Sequence, residues 1–163
     1  MAIVQRQVDD VTMGPGHPQG LSPRLDPRPT IAMIAHDREK VRLVDFAVCY
    51  RDVLSRHRLL ATATTGRMLS EMVGLEVDCV RAGIAGGERQ VAEAVAGRRV
   101  AAVIFLVDPF SRRPHEPSVD PLMKVCSLHD IPLATNIATA RAVLHVVAMA
   151  ELQQVGWSSL QEK

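Results

Sequence analysis

Four short segments carry residue types that could act together on a small anionic substrate. They are His36-Asp37 with Lys40, the run Thr62-Ala63-Thr64-Thr65-Gly66, the turn Gly83-Ile84-Ala85-Gly86-Gly87-Glu88, and Asp108-Pro109 followed by Pro114-His115-Glu116-Pro117. Together they supply a cation, several hydroxyls, flexible glycine backbone, carboxylates and two imidazoles. Such a set suits holding a small phosphate ester and moving a proton on it. Each segment follows a short apolar run that reads as a β-strand. In an open α/β sheet the carboxyl ends of the strands share one edge, and ligands bind there.

Each segment also has a plainer reading. Thr62, Thr64 and Thr65 end a strand and open a helix. Hydroxyls beside the free N–H groups of a helix start favour an anion, but a threonine there also serves as a simple cap. Lys40 can neutralise phosphate as a point charge, or stand as a solvated helix residue. Asp37 can orient Lys40 or cap the helix that follows. His36 is a candidate site imidazole or a core histidine. Gly83, Gly86 and Gly87 allow close backbone approach to a ligand. Glu88 then falls in the first helical turn, where it is either a general base or a charge suited to the helix dipole. Prolines on both sides of His115-Glu116 stiffen that loop, so His115 is a rigidly placed carbonyl polariser or an incidental loop residue.

The elements that must position these groups alternate along the chain. Strand patterns are predicted at Ile31 to Ala35, Leu59 to Ala61, Glu76 to Val80, Val100 to Val107 and Ile131 to Thr135. Helical patterns are predicted at Glu39 to Ser55, Thr65 to Val73, Glu88 to Gly97, Ser118 to Asp130 and Ala138 to Gln153. The alternation implies an α/β fold of three layers: a five-stranded, mostly parallel sheet with right-handed crossovers, flanked by helices. Residues 1–29 hold half of the 10 prolines and read as a disordered tail. Residues 30–154 form the domain, and 155–163 a loose C-terminal tail.

The 163 residues and formal net charge of +1 fit one domain without the basic stripe of a nucleic-acid binder. Aromatic content of 3% argues against a base-stacking surface. Cys49, Cys79 and Cys126 lie in separate apolar segments and read as buried hydrophobes in a reducing compartment. No His/Cys/Asp cluster has metal-ligand spacing, and no run is long enough to span a membrane. His57, His129 and His145 fall on predicted helices and read as structural. The expectation is a cytoplasmic protein with no membrane or nucleic-acid partner.

Ala35-His36-Asp37 with Lys40, Ala61-Thr62-Ala63-Thr64-Thr65-Gly66, Gly83 with Gly86-Gly87, Asp108-Pro109, Pro114-His115 and Pro132-Leu133-Ala134-Thr135-Asn136-Ile137-Ala138-Thr139 resemble, in order and spacing, the methylglyoxal synthase family. The resemblance covers roughly residues 30–150. It implies conversion of dihydroxyacetone phosphate to methylglyoxal and inorganic phosphate, with no cofactor or metal, by a homo-oligomer that is typically a hexamer. It also implies residue roles. Lys40, Thr62, Thr64, Thr65 and Gly83 would hold phosphate, with Ala63 and Ala82 beside them in the binding set. His36 would line the substrate site. Glu88 would be the base, and His115 would stabilise the enediolate. Asp37 and Asp108 would support the charged network.

The chain departs from the family pattern at four places. Glu88 stands where the family's base is an aspartate directly after Gly-Gly. Ser118 and Glu116 each replace an aspartate, and Ala63 replaces a glycine. The phosphate cradle is kept and the proton-transfer set is altered. An effector-binding module of the same fold, holding a phosphate ester without turnover, is therefore the second reading; fold alone does not establish catalysis.

Overall fold

The computed structural model describes residues 28–111 and 118–161. Five strands, β1 (Thr30–Ala35), β2 (Arg58–Thr62), β3 (Val77–Val80), β4 (Ala102–Leu106) and β5 (Leu133–Ala134), form one sheet in the order β3-β2-β1-β4-β5. Every pairing is parallel, so the expected mostly parallel sheet is wholly parallel. The helices are α1 (Lys40–Cys49), α2 (Arg51–Leu54), α3 (Ala63–Met68), α4 (Gly87–Ala96), α5 (Asp120–Leu128) and α6 (Ile137–Gln161). Short 3-10 turns at Asp37–Glu39 and Gly83–Ala85, and a π turn at Leu69–Val73, complete the elements.

The apolar strand runs exist because both sheet faces are covered. Side chains alternate across a strand. Ile31, Met33 and Ala35 of β1, with Ala102, Ile104 and Leu106 of β4, pack in one core with residues of α1, α2 and α6. Ala32 and Ile34, with Val103 and Phe105, pack in the other core with Val91, Ala94 and Val95 of α4 and Leu122 and Cys126 of α5. All six residues of β1 are buried, as befits the central strand.

Several boundaries differ from the sequence expectation. The helix expected over Glu39 to Ser55 is two helices, because Tyr50 leaves the helical region (φ −114°, ψ 20°) with its ring against Phe46. The last helix, expected to stop at Gln153, runs from Ile137 to Gln161. Its glycine at position 156 lowers helix propensity without ending the helix, so the segment expected as a loose end is helical through Gln161. Pro29, expected in the tail, already joins the fold: its carbonyl accepts the Arg58 N–H.

The strand order reverses between β1 and β4. The chain winds outward from β1 through β2 to β3, then crosses to β4 and β5. Their carboxyl ends open the crevice where α/β sheets bind ligands.

Candidate active site

His36 leaves the end of β1 and Asp108 follows the end of β4, on either side of this reversal. The His36 N–H donates to the Leu106 carbonyl, extending the β1–β4 ladder by one bond. The Asp108 N–H in turn donates to His36 Nδ1 at 3.0 Å. The imidazole stands edge-on to Phe105, with ring centroids 5.1 Å apart. His36 and Asp108 are both buried. Oδ1 of Asp108 accepts the Phe110 N–H at 2.9 Å, and Arg38 lies 3.9 Å from Oδ2.

Lys40 opens α1 one turn beyond His36. Its ammonium meets Asp37 Oδ1 at 2.6 Å. Of the two sequence readings of Asp37, the structure shows the pairing: Asp37 orients Lys40, and the first 3-10 turn is capped without a side-chain bond. Lys40 is largely covered while Asp37 is exposed, so the pair holds the lysine against the sheet edge.

Thr62 ends β2 and is the N-cap of α3, with no side-chain bond to the helix backbone. Its hydroxyl donates instead to Thr65 Oγ1 at 3.2 Å, and both residues are buried. The capping reading of Thr64 or Thr65 is thus replaced: Thr62 holds the cap position, Thr65 lies under it, and Thr64 is exposed beside the partly buried Ala63. The first N–H groups of any helix have no intrahelical partner, so donors face the same edge as the hydroxyls.

Glu88 occupies the first turn of α4, and its Oε2 is buried with no hydrogen-bond partner among the described residues. A buried carboxylate oxygen without a donor is costly, and the positive end of the α4 dipole only partly offsets the cost. Two backbone features place it. Gly86 sits at φ +86°, a conformation that favours glycine. Gly87 packs so closely that a Cβ would collide with the Arg81 carbonyl oxygen and come within 3.0 Å of Thr62 Cγ2. The helix bearing Glu88 is therefore seated on the ends of β2 and β3, beside the threonines. Ala82 and Gly83, partly buried, form the link from β3 to this helix, and the Gly87 N–H donates to the Ala82 carbonyl at 3.1 Å.

The structure thus brings His36, Asp37, Lys40, Thr62, Ala63, Thr64, Thr65, Ala82, Gly83, Glu88 and Asp108 to one sheet edge. His115 and Glu116 lie outside the described residues. Ser118 is described; its hydroxyl accepts the Asp120 N–H at 3.2 Å at the start of α5. Two residues that sequence reasoning missed also reach this edge: Arg38, beside Asp108, and Gln90, whose side chain binds the Arg81 backbone. Both contacts join segments that no local spacing pattern connects.

Other sequence expectations resolve away from the site. Cys49 is exposed, not buried; Cys79 is half-buried and Cys126 buried. Burial pushes the Cys79 thiol up, with the Asp78 carboxylate adding to it and Arg67 opposing. Burial likewise raises Cys126. His57 lies beyond α2, not on a helix, with Nδ1 2.9 Å from the Val53 carbonyl. Among the described residues no cluster of His, Cys, Asp and Glu could hold a metal ion, and no helix is long and apolar enough to cross a membrane.

Residues 42–135 match the family described as the MGS-like domain. The chain is 46% identical over 122 residues to a methylglyoxal synthase of Caldicellulosiruptor saccharolyticus, covering 75% of this chain and 86% of that protein. It is 47% identical over 114 residues to one of Thermus thermophilus, covering 70% of this chain and 90% of that protein. The crystal structure of methylglyoxal synthase from Elizabethkingia anophelis superposes with a TM-score of 0.70 at 38% identity, covering 72% of this chain and 77% of that one. A five-stranded parallel sheet, a histidine and an aspartate bridging its reversal point, and this extent of identity place the chain in the methylglyoxal synthase family.

Proposed function

We propose that the protein is a carbon–oxygen lyase that converts dihydroxyacetone phosphate to methylglyoxal and inorganic phosphate. The observation that carries this reading is Glu88, a carboxylate with a buried oxygen lacking a hydrogen-bond partner among the described residues, seated next to a threonine-lined helix start. A carboxylate oxygen without a donor is suited to accept a proton from carbon.

The chemistry follows from that placement. Glu88 takes a proton from the hydroxymethyl carbon, and the C–H electron pair forms the C=C bond of an enediolate. The enediolate then expels phosphate with the electrons of its C–O bond. As phosphate leaves, the hydroxyl on the former hydroxymethyl carbon gives up its proton and becomes the aldehyde. The remaining enol gains a proton on its terminal carbon and loses its hydroxyl proton to give methylglyoxal. Elimination requires that C–O bond to stand out of the enediolate plane, so holding the phosphate decides the outcome. Lys40, Thr62, Thr64 and Thr65, with the backbone around Ala63, Ala82 and Gly83, are the proposed phosphate contacts. His36 and His115 are proposed to donate to the developing oxyanion. Asp108, tied to the backbone of its own turn, supports His36, and Asp37 supports Lys40.

The test is incubation of the purified protein with dihydroxyacetone phosphate without added metal, following both products. Wild type should turn over. Glu88→Gln should lose about 10²–10⁴-fold in kcat, the usual worth of a general base, while binding inorganic phosphate within twofold of wild type. Binding without turnover by wild type would favour the effector-module reading.

The resemblance further supports a cytoplasmic homohexamer. Light scattering coupled to size exclusion tests the assembly, with a mass other than six chains overturning it.

A further inference from the structure

The Arg81 backbone sits where three parts of the proposed site meet. Its carbonyl oxygen lies against Gly87 at the start of α4, close enough that no Cβ fits there. The same oxygen faces the Ala63 N–H at the start of α3, at 3.5 Å. Immediately after Arg81 come Ala82 and Gly83. Helix α3 carries the threonines, α4 carries Glu88, and the β3 exit carries the remaining backbone contacts. Arg81 follows the end of β3 at Val80 and is exposed, and its N–H is bonded to a side chain and not to the strand ladder.

The carbonyl is held by the two contacts above, while the N–H, in the preceding peptide plane, is held by Gln90. Its Oε1 accepts the Arg81 N–H at 2.8 Å. Gln90 lies on the same helix as Glu88, two residues on, and its side chain reaches back over the strand end. From this geometry we infer that Gln90 is a positioning residue for the reaction: its amide oxygen clamps the Arg81 N–H and, together with the carbonyl contacts of the same residue, sets the base on α4 against the phosphate cradle. This inference rests on the lyase reading for its kinetic consequence, and on geometry alone for its structural one.

The chemistry of the clamp is specific. A backbone N–H requires an acceptor, so the amide oxygen, not the amide nitrogen, does the holding. Glutamate at position 90 retains an acceptor of the same reach. Methionine matches the length and removes the acceptor. A shift of about 1 Å between base and substrate costs on the order of 100-fold in rate, whereas loss of one half-exposed hydrogen bond costs about 0.5–1.5 kcal/mol of stability. A positioning role therefore shows as a kinetic loss out of proportion to the change in Tm.

The experiment compares wild type, Gln90→Met and Gln90→Glu in the full chain. Three readouts are taken: kcat and KM for dihydroxyacetone phosphate, Kd for inorganic phosphate by calorimetry, and hydrogen exchange of the Arg81 amide. Gln90→Met should lower kcat at least tenfold, weaken phosphate binding at least threefold and abolish protection of the Arg81 amide. Gln90→Glu should restore amide protection and bring kcat to within threefold of wild type. Gln90→Met with wild-type kcat and phosphate affinity overturns the inference, as does a Gln90→Glu variant as impaired as Gln90→Met. An Arg81 amide that exchanges freely in wild type overturns it even if Gln90→Met fails to fold. If wild type shows no turnover, the lyase reading fails by itself, and phosphate affinity and amide protection still decide the role of Gln90.

Discussion

The Asp108 N–H donates to Nδ1 of His36 across 72 positions of sequence, at 3.0 Å and buried. A backbone amide can only donate, so Nδ1 is the acceptor and the ring proton lies on Nε2. The fold itself selects the tautomer by placing the β4 exit beside the β1 exit. Nitrogen-15 NMR of histidine-labelled protein should report a pyridine-like Nδ1 and a pyrrole-like Nε2 for His36. The opposite tautomer would mean that this bond does not form in solution. His36→Ala should destabilise by about 1–3 kcal/mol in urea, because it leaves a buried amide without an acceptor.

The Thr62–Thr65 hydroxyl pair supports a second prediction. Thr65 is 2% exposed and accepts from Thr62, so the pair orients the hydroxyls at the α3 start. Thr65→Val keeps the shape and removes the acceptor. Inorganic phosphate should then bind about tenfold more weakly, equivalent to about 1.4 kcal/mol. Calorimetry measures this directly. An unchanged Kd would remove Thr65 from the phosphate contacts.

Much of this edge was legible in the chain because strand exits carry local signals. A run such as Ala102–Leu106 must be buried on both faces, and the polar residue that follows must lie at the sheet edge. That logic located His36, Thr62 and Asp108 without coordinates. It could not rank the roles within a segment. The choice between Thr62, Thr64 and Thr65 as cap depends on where the first helical hydrogen bond forms, which propensity leaves free to within a residue or two. Nor could it find Gln90 or Arg38, whose partners come from other strands. The break at Tyr50 is likewise set by packing against Phe46, and the continuation of α6 past residue 153 by the absence of a strong breaker, not by the hydrophobic period.

The three thiols differ in environment in a way that alkylation can read. Cys49 is exposed. Burial raises the Cys79 and Cys126 thiols, so near neutral pH they are less ionised than a free cysteine, and only the thiolate reacts. Iodoacetamide at pH 7.5 should therefore label Cys49 first. The raised thiols of Cys79 and Cys126 should respond to added base later than an unburied thiol does. Mass spectrometry of timed digests gives the order. Labelling of Cys126 ahead of Cys49 would contradict the packing of α5 on the sheet.

Gly86 and Gly87 adjoin in sequence yet should fail differently when substituted. At Gly86 the backbone is left-handed and the space around a Cβ is open. Gly86→Ala should cost about 1–2 kcal/mol through backbone strain, with Glu88 left where it is. At Gly87 the obstacle is the Arg81 carbonyl, a backbone atom that cannot swing aside as a side-chain tip can. Gly87→Ala must lift the start of α4 off the strand ends. Overpacking of this kind costs about 1–3 kcal/mol, similar to the Gly86 change, but here the base moves as well. Urea unfolding should thus find the two variants comparably destabilised, while kcat falls far more for Gly87→Ala, on the order of 100-fold for a 1 Å displacement. Equal kinetic losses in the two variants would show that the seat of α4 on Arg81 does not set the position of Glu88.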